Sequence, residues 1–296
     1  MSTATPISPI SKAAQVNLVQ SIPSNQIIAL YKKMTDLDVS YLFKDVQEVR
    51  LYECVDSKYR FFAPTSIQGD PAFYQGLAKF QWYYIKNRWE FSETIKHIEN
   101  KGNILEIGAG EGNFLKKGIT ERPNASWHGV DISTPNETIF KSIEELTKQV
   151  PIKFDVVCLF QTLEHLSDPL KSLTQMCDLL KSGGKLIISV PNNNSFIQHA
   201  KNDFLNMPPH HMGLWASESL LNLQNFLPIK IDRIIQSPLT REHESWFLKT
   251  QLKKIFGKTV GKIFSKLLIG IRAQYLLRPF SKNIIGHTVL AIFHKS

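Results

Sequence analysis

Cysteine is scarce in this sequence: three in 296 residues, Cys54, Cys158 and Cys177. An odd number without C-x-x-C spacing excludes a disulfide framework and a four-cysteine zinc site, and it suits a reducing compartment. No run of about 18 apolar residues occurs, so no membrane-spanning helix is expected. The opening MSTATPISPISKAAQ has no basic region followed by an apolar one and does not read as a signal peptide. No internal repeat is evident. With 43% hydrophobic and 21% charged residues, the composition excludes a fibrous, collagen-like or wholly disordered chain. A chain of this length buries a full core without covalent staples. The expectation is a cytoplasmic globular protein.

Acidic residues are absent from Lys249 to the end, where ten Lys and Arg occur; the remainder carries 25 basic against 26 acidic residues. The net charge of +9 therefore belongs to one C-terminal segment and not to a nucleic-acid-binding surface spread over the molecule.

Residues 1–24, rich in Ser, Thr, Pro and Asn, are expected to form a flexible arm. Residues 25–100 are dense in aromatics and read as a helical, aromatic extension on the acceptor side or acting as a lid. Within it Val49–Tyr52 and Tyr59–Phe62 suit short strands, and Phe73–Glu99 one or two helices. From residue 101 to 239 short apolar runs alternate with helical stretches, the pattern of a parallel sheet with helical crossovers. Expected strands are Asn103–Ile107, Trp127–Asp131, Ile139–Lys141, Phe154–Phe160, Lys185–Val190 and Lys230–Gln236. Expected helices are Phe114–Thr120, Pro169–Leu180 and Ser217–Asn225, the last capped by Ser217. Residues 240–283 form a basic amphipathic helical insertion, and 284–296 supply the last core strand, Thr288–Phe293.

The sharpest local signal is NILEIGAGEGNF, residues 103–114. A strand ends in Glu106, and Gly108, Gly110 and Gly112 follow at alternate positions. Glycine allows a sharp turn and the close approach of a ligand to main-chain N–H groups. About twenty residues on, Asp131 ends the next strand, where a carboxylate accepts the hydroxyls of a ribose. The bland alternative is a tight turn with no ligand. Together LEIGAGEGNF, HGVDIS, FDVVCLFQTLEHLSDP and LKSGGKLIISVPN resemble the class I S-adenosylmethionine-dependent methyltransferases, within them the small-molecule and sugar methyltransferase branch. The resemblance spans about Gly102 to Gln236 plus the last strand. It implies an α/β, Rossmann-like seven-stranded sheet with an antiparallel last strand, and S-adenosyl-L-methionine as cofactor. It places Glu106, Gly108, Ala109 and Gly110 at the methionine end and Asp131 and Ile132 at the ribose. Ser142 and Ile143 would lie beside the adenine, and Phe160 and Gln161 on the cofactor's other face.

Glu164 and His165 follow the fourth strand of that pattern, where a methyl group would be presented. Histidine suits removal of an acceptor proton; the alternative is that the pair ties the loop. LEHL also resembles ubiquinone-type O-methyltransferases, in which two further carboxylates complete a divalent-metal site. Gln161 stands at the first of those positions, so no metal is expected. His210 and His211, in PPHHMGLW, are candidates to orient an acceptor or act as base, or else to satisfy backbone carbonyls. Tyr74 is a weaker candidate that packing alone would explain. The function implied is methyl transfer to a small molecule, foremost O-methylation of a sugar, glycoconjugate precursor or natural product. The alternatives are an RNA or protein methyltransferase and a non-catalytic binding protein. No nucleic-acid partner is expected.

In the insertion, Leu, Ile and Phe interleave with lysines at three- and four-residue spacing, and Gly257 and Gly261 divide it into two helices. Two readings are open: a lid over the acceptor pocket, or, through residues 249–280, a peripheral contact with the inner membrane face.

Overall fold

A computed structural model describes residues 5–80, 83, 85–132, 136–200, 203–270 and 273–296. The segment expected to be a flexible arm contains a strand, whereas the two short strands expected near Val49–Tyr52 and Tyr59–Phe62 are present. Val16–Pro23 is a strand, β1, followed by helix α1 (Ser24–Thr35) and strands β2 (Glu48–Cys54) and β3 (Arg60–Ala63). β2 alternates between buried Val49 and Leu51 and exposed Glu48 and Arg50, as a strand with one covered face must. It pairs antiparallel with both β1 and β3. Even upstream of β1, Ser8 and Ile10 are buried, and Ile10 joins the main core. Helices α2 (Pro71–Ala78) and α3 (Trp89–Ile95) follow. α2 starts with Pro71 at its first position and the Asp70 carboxylate accepting from Phe73 N–H at 2.8 Å.

The expected alternation then unfolds: β4 (Gly102–Ile107), α4 (Asn113–Glu121), β5 (Ala125–Val130), β6 (Ile139–Phe140), α5 (Ile143–Gln149), β7 (Phe154–Phe160), α6 (Pro169–Leu179) and β8 (Leu180–Pro191). β9 (Gly213–Leu214), α7 (Ser217–Leu221), β10 (Ile229–Pro238), α8 (Glu244–Gly270) and β11 (Ile285–Lys295) complete the chain. Ser217 is not the cap of α7. It is the first helical residue, and Ala216 N–H is held instead by Ser219 Oγ at 3.0 Å.

The seven-stranded sheet has the order β10-β11-β8-β7-β4-β5-β6. β4 to β8 pair in parallel, and β11, last in the chain, inserts antiparallel between β8 and β10. β7 explains why its apolar run is continuous. Val157 and Leu159 pack with α5, α6 and α7 on one face, while Val156, Cys158 and Phe160 pack with α3 and α4 on the other. The order in which strands are added reverses at β4, with β5 and β6 on one side and β7 and β8 on the other, so a crevice opens at the carboxyl ends of these parallel strands.

A second sheet, order β1-β2-β3-β9, is fused to the first, because β9 follows the loop that carries His210 and His211. Tyr59 and Phe61 of this region pack in the main core, with the Tyr59 ring 4.2 Å from that of Trp215. The insertion breaks at Gly257, whose φ of 76° stops helix α8 and starts it again. Among the described residues no helix is long and apolar enough to cross a membrane.

Candidate active site

A cavity of about 700 Å³ opens at the carboxyl ends of β4, β5 and β7. The glycine loop forms one wall. Gly108 and Ala109 both donate to Val130 O, at 2.8 and 3.1 Å, which folds the loop back over β5. Gly108 has φ of 76°, and a Cβ there would lie 2.3 Å from Thr162 Oγ1, so only glycine closes this turn. Gly110 N–H donates to Asp131 Oδ2 at 2.8 Å. The Asp131 carboxylate is thus shared between the loop and any ribose, where the sequence suggested it would serve the ribose alone.

Glu106 is 2% exposed, and its Oε2 has no hydrogen-bond partner. Burial raises its carboxyl pKa well above the usual range; Arg88 opposes this and Asp131 adds to it. A buried carboxyl oxygen without a partner is costly, and a cationic ammonium arriving beside it would relieve that cost. Together with the glycine cradle, this fits the amino-acid end of S-adenosylmethionine. Ile132, Phe160 and Gln161 also line the cavity, whereas Ser142 and Ile143 do not. Ser142 Oγ instead caps α5, accepting from Glu145 N–H at 3.1 Å, and Ile143 packs against the core.

The opposite wall joins two segments that are distant in sequence. Gln161 leaves β7 with φ of 50°, its N–H on Ser189 O and its side-chain amide donating to Glu90 Oε1 at 3.4 Å. The turn that follows presents Glu164 and His165. Met212 N–H donates to Glu164 O, and His165 Nδ1–H donates to His210 O at 2.7 Å. These two bonds lock the His210–His211 loop onto the end of β7. The N-terminal region supports that loop from behind. Tyr31 donates to Phe204 O at 2.6 Å, Gly69 N–H to Pro209 O, and Phe62 N–H to Met212 O.

Four titratable groups meet here. Glu164 is 1% exposed, neither of its carboxyl oxygens has a partner, and Oε1 lies 3.9 Å from His211 Nε2. Burial pushes its pKa up to about 8, with Arg88 opposing the shift and Glu90 adding to it. Burial takes His165 down to about 4, and His210 and His211 well below their ordinary value. The imidazoles are therefore neutral near pH 7. His210 Nδ1–H is held by Leu205 O and His211 Nδ1–H by Asn206 Oδ1, which leaves each Nε2 as an acceptor. The Tyr74 ring packs edge-on to His165 at 5.7 Å, and its hydroxyl donates to His210 O.

One ligating atom from each of His165, His210 and His211 falls within 4.8 Å of the others. Gln161, at the position where the resemblance implies a carboxylate, donates its side-chain amide to Glu90.

Several lining residues gave no signal in the sequence: Arg88, Tyr83, His243, Trp246 and His287. The His243 and His287 rings lie 3.9 Å apart beside Trp246, at the far end of the cavity. These lining residues come from three separate segments, around residues 83–88, 243–246 and 287, so neither spacing nor periodicity could group them.

A family model described as "Methyltransferase domain" matches residues 81–259. Among curated proteins, the chain is similar to a ubiquinone biosynthesis O-methyltransferase from Dechloromonas aromatica (strain RCB). The two are 31% identical over 106 residues, covering 31% of this chain and 45% of that protein. It is also similar to the protein of the same name from Pseudomonas aeruginosa (strain LESB58), at 23% over 172 residues, 48% of this chain and 71% of that one. The first of these matches thus spans less than half of the curated relative. Among solved structures, a SAM-dependent methyltransferase from Archaeoglobus fulgidus aligns with a TM-score of 0.44 and 22% identity, covering 70% of this chain and 91% of that chain.

Proposed function

The chain belongs to the methyltransferase-domain family and has the fold and cofactor of class I S-adenosylmethionine-dependent methyltransferases; from this we propose that it methylates a hydroxyl oxygen of a small molecule. The observation that carries the reading is Glu164, a buried carboxyl with two unpartnered oxygens that titrates near pH 8 in the cavity wall.

Glu106 and the Gly108–Gly110 turn would hold the amino-acid end of the cofactor, and Asp131 its ribose. S-adenosylmethionine, when bound, supplies an electrophilic methyl group on a sulfonium. Displacement at such a carbon needs alignment and exclusion of water, which a walled cavity provides. A hydroxyl acceptor must also lose its proton. Glu164 as carboxylate is the group placed to take it, and a base with a pKa near the working pH is the efficient choice. His165 and His211, neutral and with their Nδ1 atoms tied to protein oxygens, orient the acceptor by accepting at Nε2. His210 is committed to Tyr83, its Nε2 lying 3.3 Å from the hydroxyl.

The aromatic and imidazole lining, Tyr74, Tyr83, Trp246, His243 and His287, suits a flat or polyhydroxylated acceptor. A sugar, a glycoconjugate precursor or a phenolic natural product meets that description. The printed names of the curated relatives, both O-methyltransferases, favour oxygen as the receiving atom. Incubation with methyl-labelled cofactor and panels of phenols and sugar nucleotides tests the reading. Label transferred to an acceptor oxygen supports it, and label found only on protein or RNA overturns it.

A further inference from the structure

The second half of α8 is built inside out. Val260, Ile263, Phe264 and Leu267 stand at i, i+3, i+4 and i+7, the spacing of a single helix face. In an ordinary surface helix that face is buried. Here Ile263 is 65% and Leu267 61% exposed, while the covered positions are Gly261 and Ser265. Gly261 explains the inversion. A Cβ at this position would fall 2.5 Å from Leu252 O, so after the break at Gly257 the chain doubles back tightly against the first half of the helix. The small-residue face makes that contact and the apolar face turns outward. Ile255 and Phe256 before the break, and Leu276 and Phe280 after the helix, extend the exposed apolar surface.

Lysine surrounds this surface. Lys249, Lys253, Lys254, Lys262, Lys266 and Lys282 are all exposed, and from Lys249 onward the chain contains no acidic residue. Apolar side chains within a cationic rim, on an element too short and too charged to span a bilayer, match the physics of an interfacial helix. A second copy of this chain docked on the same face would bring two lysine rims together, which opposes association. An anionic lipid surface satisfies both the apolar face and the charge. We infer that the hairpin of α8 docks the protein on anionic bilayers.

This docking does not depend on the acceptor's identity. It has a consequence for the cavity, because the first turns of the same helix place Trp246 in the cavity wall. The bilayer-facing hairpin and the site are thus joined by one short helical segment.

The test uses the full chain with vesicles of phosphatidylcholine alone and of phosphatidylcholine mixed with phosphatidylglycerol. The intact protein is expected to sediment with the anionic vesicles and not with the neutral ones, and salt should release it. Lys262→Ala with Lys266→Ala should lower partitioning by about 30-fold, roughly fivefold for each lysine near an anionic surface. Ile263→Asp with Leu267→Asp should abolish binding, and because both side chains are already in solvent, cofactor affinity measured by calorimetry should be unchanged. Several results would each overturn the inference. These are protein that stays in the supernatant with anionic vesicles, variants that bind as the parent does, and sedimentation velocity showing a dimer that the aspartate variant dissolves. Binding to RNA in place of vesicles would overturn it as well.

Discussion

Glu164 Oε1 and His211 Nε2 lie 3.9 Å apart in a wall where neither side chain is more than 8% exposed. The imidazole is too deeply buried to carry a proton near neutral pH, and the carboxyl too deeply buried to lose one readily. The carboxyl has thus crossed from below neutrality to above it, while the imidazole has moved further below its ordinary value. In the proposed reaction the carboxylate is the base and the imidazole the orienting contact.

Replacement of the base is the first test. Glu164→Gln keeps the shape and removes the titration, so turnover should fall by about 10²–10⁴-fold with cofactor affinity nearly intact. In the parent, turnover should rise with pH through about 8, because the carboxylate form exists above that value and is lost below it. The glutamine variant should lack this inflection. An unchanged pH–rate profile would return Glu164 to a structural role.

Arg88 supplies a separate check on the same titration. Its positive charge lowers the pKa of both Glu106 and Glu164. Arg88→Met should therefore move the inflection in the pH–rate profile upward, to more alkaline pH. A downward move, or none, would show that the guanidinium does not act on the site.

The cofactor wall is probed by Asp131 and Gly108. Asp131→Ala removes hydrogen bonds to a charged acceptor, so calorimetry should show affinity weakened by about 1.5–3 kcal/mol. Gly108→Ala should bind still more weakly, because its Cβ would strike Thr162 Oγ1 in a left-handed backbone. Affinities equal to the parent's would remove both residues from the cofactor site.

Chelation addresses the imidazole cluster. If the acceptor's proton passes to Glu164, dialysis against EDTA should leave turnover unchanged. Loss of activity that magnesium or zinc restores would assign His165, His210 and His211 to a metal instead.

Much of this was legible in the residues themselves. The strand-to-glycine turn at Glu106–Gly110 and the run Phe154–Phe160 are local patterns, and the structure places them where that reading did. The cap role of Ser142 was not foreseen, although a serine that begins a helix commonly accepts from a first-turn N–H. β1 was missed because Val16–Pro23 exposes nearly all its side chains and so lacks an alternating apolar signal; its partner β2 holds it in place. The choice between Glu164 and His165 as base could not be read from composition, because their pKa values follow from burial.

The sequence by itself determined the seven strands of the main sheet, their order along the chain and the glycine turn, because hydrophobic period, glycine geometry and strand length act over a few residues. Tertiary structure alone decided the rest. It brought Arg88, His211 and Trp246 from three segments to one cavity, and it turned the apolar face of residues 260–267 toward solvent. A helical period shows that a helix has an apolar side, but not on which side the core lies. That is settled by the close contact of Gly261 with the backbone at Leu252, and by the lysines left outside it.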